Sequence, residues 1–257
     1  MHLPMPEAVP DTPAQRRADR RRVQRALNAS LGGVLLLAAV FAAQYSFDWR
    51  ALAIAPHEGW GLVGIVTAPL LHGSPEHLGA NAVALLLLGT LAGTVYPRAT
   101  LRALPLLWLG SGLGAWGLGD VGTRHLGASG VAHGLMFLVF GLGLLRRDRP
   151  AIAAALIAFF LYGGMLLTVL PHEPGVSWQA HFGGAVAGLL AAWWFRRSDA
   201  LAPRRRYSWE LEDEAIDATD AAAADPLELP RPEAVPVLWE RPRVPSGHVV
   251  VRLPRRD

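Results

Sequence analysis

Between residues 27 and 198 the chain runs through long apolar stretches with almost no acid, and this restricts its fold more than any other feature. Six acidic residues (Asp48, Glu58, Glu76, Asp120, Asp148 and Glu173) fall across these 172 positions, beside 26 of the 27 glycines. About 20 mostly apolar residues suffice for a helix to cross a bilayer core. Apolar windows place helices near 27–47, 77–96, 101–119, 127–145, 151–170 and 178–195. The expected fold is therefore an all-α polytopic membrane protein with six transmembrane helices. The glycine-rich stretch "LGSGLGAWGLGD" marks the third span as the one to be broken or tilted.

Charge divides the rest. Residues 1–26 form a basic segment, 27–198 the membrane domain, and 199–257 a tail with 12 acids, nine arginines and eight prolines. The tail lacks a sustained period, so a disordered segment is expected, available to a cytoplasmic partner. Arginines cluster at the N-terminus, at Arg98–Arg102, in "RRDR" at 146–149 and at Arg196–Arg206. The intervening segments 48–76, 120–126 and 171–177 hold only Arg50 and Arg124. Alternate basic connections place both termini in the cytoplasm of a multi-pass protein, with a cell inner membrane as the expected location. The net charge of +3 comes from these membrane flanks and gives no reason to expect nucleic acid. With no cysteine, thiol chemistry and disulfides are excluded. Phe41 at −3 from the obvious Ala43 cut makes a signal-anchor the expected reading of the first span.

Polar groups inside spans are costly and call for a role. Gly130 and Gly134 lie one helical turn apart on the fourth span, as do Gly184 and Gly188 on the sixth. Small residues let helices approach closely in lipid, so the two stripes are expected to touch. Ser129 adjoins the first stripe, and His181 shares a face with the second. A serine within reach of a neutral imidazole is an activated nucleophile, whereas each residue alone reads as a satisfied buried polar group. Near the start of the second span, His77 and Asn81 share a face as i and i+4, with Pro75 opening the helix and His72 still in the loop. Two such donors suit an oxyanion hole, to which the Ser129 amide at a helix N-terminus adds a third. His72 and His77 are five apart, a poor spacing for one metal ion, and no cofactor is expected.

The three motifs together resemble the rhomboid family of intramembrane serine proteases. They are H-x4-H-x3-N (His72, His77, Asn81), G-x-S-G (Gly127, Ser129, Gly130) and H-x-x-G-x-x-x-G (His181, Gly184, Gly188), in this order on spans two, four and six. The resemblance implies Ser129 as nucleophile and His181 as general base in a dyad without an aspartate. It also implies an oxyanion hole of His77, Asn81 and the Ser129 amide, with His72 and Gly127 in support. Its substrates would be membrane-anchored proteins, cut in or beside their own spans. The chain departs from the family in two places. His133 stands where relatives carry an aromatic residue four after the serine, a Ser-Gly-x-x-His-Gly arrangement that resembles the rhombosortase-like branch. Thr67 to His72 fits a further family run, but the expected arginine is missing and Trp49–Arg50 lies far upstream.

Three other readings compete. A catalytically inactive rhomboid-like protein would bind membrane proteins without cutting them. A small transporter would use His72, His77, His133 and His181 as a proton or metal path. A scaffold would act through its tail and leave the motif order unexplained.

Overall fold

The computed structural model describes residues 12–171, 175–200, 212–216 and 218–219. The chain divides into two units, Met1–Arg205 and Arg206–Asp257. Of the second unit, residues 212–216 and 218–219 are helical; the rest of the expected tail from residue 201 onward lies outside the described residues, as do residues 1–11.

The first unit is a helical bundle. Helix α1 spans Pro13–Ala43, opened by Thr12, whose hydroxyl accepts from the Gln15 amide, and by Pro13 at its first position. The basic segment from residue 13 onward is thus helical and continuous with the first span. Arginine is a good helix former, and nothing between the arginines and the apolar run breaks the helix. Three 3₁₀ turns (Gln44–Ser46, Trp49–Leu52 and Gly59–Val63), the short α2 (Gly64–Thr67) and a last 3₁₀ turn (Ala68–Leu70) fill the first connection. Helix α3 spans Pro75–Val95, with Ser74 capping it by accepting from the His77 amide. Helix α4 covers Pro97–Leu118, α5 Ser129–Arg146, α6 Arg149–Tyr162 and α7 Trp178–Phe195.

Two elements differ from their expected form. Helix α4 is unbroken, and its Gly110, Gly112 and Gly114 serve packing: a Cβ at Gly114 would lie 2.8 Å from the Gly183 Cα on α7. The fifth span is α-helical only to Tyr162 and tightens into a 3₁₀ segment over Gly163–Val169. Among the described residues, four stretches are long and apolar enough to cross a membrane: Pro13–Ser46, Pro75–Val95, Ser129–Arg146 and Arg149–Val169. Helices α4 and α7 occupy the expected places of spans three and six, but glycine, tryptophan and polar residues dilute their apolarity.

Helix α5 runs through the middle of the core. Leu135, Leu138, Val139 and Leu142 pack with Leu88 of α3, Leu107 of α4, Ala154 of α6 and Ala191 of α7. Lipid is as apolar as these side chains, so close van der Waals contact rather than water exclusion holds the helices together. At the opposite end from Ser129, the Asp199 carboxylate accepts from the Arg98 and Ala99 amides at 2.9 Å each. It supplies α4 with the cap that Tyr96 cannot.

Candidate active site

The glycine stripes do meet. A Cβ at Gly184 would collide with the Gly130 carbonyl, and one at Gly188 with the Gly134 carbonyl, so only hydrogen fits at this crossing of α5 and α7. The approach sets the positions of the neighbouring polar residues. Ser129 is the first residue of α5, and His181 lies one turn into α7. The Ser129 hydroxyl is 2.9 Å from Nε2 of His181, whose Nδ1 is 3.0 Å from the Thr168 carbonyl. A carbonyl can only accept, so Nδ1 carries the hydrogen and Nε2 is left as a lone pair facing the hydroxyl.

His133 follows Ser129 by one turn and lies flat against His181, with ring centroids 3.8 Å apart and planes 12° from parallel. Its Nδ1 donates to the Ser129 carbonyl at 2.7 Å, and its Nε2 meets the Thr168 hydroxyl at 2.8 Å. Both nitrogens are engaged away from the Ser129 hydroxyl, so His133 does not compete with His181 for it.

The second-span residues arrive from the other side. Gly127, with φ +108°, turns the chain just before α5, and its amide is tied to the Ala68 carbonyl at 2.9 Å. A Cβ on Gly127 would lie 2.6 Å from His77 Nε2 and 3.5 Å from Asn81 Nδ2, so glycine meets both a backbone and a space requirement there. Asn81 is buried, and among the described residues its Nδ2 has no hydrogen-bond partner. A buried amide left unpaired is expensive unless a ligand completes it. His77 and Asn81 thus converge on Gly127, two residues before Ser129, whose amide heads α5.

His72 sits behind His77, with ring centroids 5.1 Å apart. It is 1% exposed, and burial first, then the neighbouring His77, hold its pKa down at about 4. Its backbone is gripped from α1: the Gln44 side chain donates to the His72 carbonyl and accepts from its amide, each at 2.9 Å. A backbone bridge joins Ile54 to His125 at 2.9 and 3.0 Å, which ties the first connection to the loop before α5. His125 also bonds Ser177, the residue before α7, at 2.7 Å, and burial lowers its pKa. Among the described residues, no three histidine, aspartate or glutamate side chains converge as metal ligands.

Sequence reasoning missed Thr168 and Gln44. Each is a single polar residue at the end of an apolar run, "LLTVLP" and "FAAQY", and that interruption was the only available signal.

A family model described as Rhomboid domain matches residues 58–198 of the chain. The chain belongs to the rhomboid family. The matched segment contains every residue of the rhomboid site above except Gln44 and Ile54. An uncharacterized protein of Mycobacterium tuberculosis (strain H37Rv) is 40% identical over 148 residues, 54% of this chain and 62% of that protein. One of Mycobacterium leprae is 38% identical over 142 residues, 51% of this chain and 55% of its own length. The chain thus spans less than two thirds of these relatives.

Proposed function

We propose that this rhomboid domain is an intramembrane serine endopeptidase acting on membrane-anchored proteins, in or next to their transmembrane segments. The observation that carries the reading is the 2.9 Å contact between Ser129 Oγ and the unprotonated Nε2 of His181. The Ser129 oxygen attacks the scissile carbonyl carbon while Nε2 takes its proton. His77, Asn81 and the Ser129 amide donate to the oxygen that becomes negative, and the unpaired Asn81 amide supports that assignment. The tetrahedral intermediate collapses as His181 returns the proton to the leaving amine. Water, deprotonated by the same imidazole, then hydrolyses the acyl-enzyme. No cofactor takes part in this scheme. Helices α4 and α7 complete six spans, and the arginine-rich connections put both termini in the cytoplasm of a cell inner membrane. There the acidic tail is free to meet a cytoplasmic partner.

The test is labelling of the detergent-solubilised full chain with a fluorophosphonate, alongside Ser129→Ala and His181→Ala. Labelling of the wild type that both substitutions abolish is the expected result. A folded wild type that the probe reaches but does not label overturns the protease reading in favour of an inactive membrane-protein-binding rhomboid.

A further inference from the structure

Thr168 lies on the 3₁₀ segment that follows α6, outside every motif, yet it touches both stacked histidines. Its carbonyl accepts from His181 Nδ1 at 3.0 Å, and its hydroxyl is 2.8 Å from His133 Nε2. The same hydroxyl is 3.1 Å from the Met165 carbonyl, and it has one hydrogen to give. His133 settles where that hydrogen goes. Its Nδ1 faces the Ser129 carbonyl at 2.7 Å, which can only accept, so in the neutral ring Nε2 is a bare lone pair. The Thr168 hydroxyl therefore donates to Nε2. If it turned to Met165 instead, two lone pairs would face each other unless His133 took a second proton. His133 would then be an imidazolium 3.8 Å from the ring that must itself become positive when it takes the Ser129 proton.

We propose that Thr168 is a positioning residue for both histidines, its carbonyl fixing the tautomer of His181 and its hydroxyl holding His133 neutral and flat against it. A continuous chain of donors results, from the Thr168 hydroxyl through His133 to the carbonyl of Ser129. The proposal rests on the protease reading for its effect on rate, but the placement of the two rings stands apart from it.

The experiment uses the full chain in detergent with ¹⁵N-labelled histidine, His133 signals being assigned by their loss in His133→Phe. Nε2 of His133 is expected to give a hydrogen-bonded acceptor signal in the wild type and in Thr168→Ser. In Thr168→Val, which keeps the branched shape and the carbonyl, this signal moves to that of an unbonded or protonated nitrogen. Loss of one such bond is expected to slow fluorophosphonate labelling of Ser129 about 3- to 10-fold, with Thr168→Ser restoring it. Thr168→Ala serves if the valine variant does not fold. An unchanged His133 signal overturns the proposal, and so does a changed signal with a wild-type labelling rate. A wild type that never labels but shows the Thr168-dependent signal refutes the protease reading alone and leaves the ring placement supported.

Discussion

Gly184→Ala adds one methyl group at the crossing of α5 and α7, and the structure gives the size of its effect. The new carbon would lie 2.8 Å from the Gly130 carbonyl carbon and 3.3 Å from its Cα. Carbon atoms pack at about 3.5–4.0 Å, so the helices must part by roughly 0.7 Å or more. Ser129 is next to Gly130 and His181 is one turn from Gly184, so their 2.9 Å contact stretches with the crossing, beyond hydrogen-bonding range. A misplacement of about 1 Å can cost about 100-fold in rate, and fluorophosphonate labelling of Gly184→Ala is expected to fall about 10- to 100-fold. Helix propensity pushes the other way, since alanine favours a helix over glycine by about 1 kcal/mol. A loss of labelling would therefore come from the crossing and not from weakening α7. Gly117→Ala on α4 is the control, because nothing lies within 4 Å of its added carbon. Wild-type labelling by Gly184→Ala would refute the argument, since the stripes would then not be in the contact that sets the Ser129–His181 distance.

Two further outcomes are expected. Gln44→Ala removes both bonds to the His72 backbone and leaves a buried amide and carbonyl unpaired, at a cost of about 1–3 kcal/mol each. Thermal unfolding in detergent should show a clear loss, and an unchanged Tm would mean that α1 does not brace this loop. The His72 pKa lies at about 4 in the fold against 6.5 as its ordinary value, so the unfolded chain binds the extra proton more readily. Its contribution to stability is thus complete above about pH 6.5 and is lost as pH falls toward 4. Between these limits Tm should fall with pH more steeply in the wild type than in His72→Leu, and equal slopes would refute the assignment.

The sequence by itself determined four of the expected spans, those whose apolar windows are long enough to cross a membrane, together with the polar positions that break them. Helical periodicity was sufficient for the pairing of α5 with α7, because glycines four apart define a face without reference to any partner. It also put Ser129 and His181 beside that face, and His77 with Asn81 on another. The single helix running from Pro13 through the basic segment was not legible, because a charged run ends the apolar pattern without ending the helix. Nor was the shortening of α6 at Tyr162, since a 3₁₀ turn and an α-helix accept the same apolar residues. Only the tertiary structure decided which groups surround the two rings. Thr168 reaches His133 from 35 residues away through a 3₁₀ segment, and Gln44 reaches His72 from 28 residues away, across a connection of 3₁₀ turns and the short α2. Spacing repeats within a helix and so can be read along the chain. The hydrogen bonds that fix the imidazoles come from segments with no repeat, and their partners are set by where the packed helices leave the chain ends.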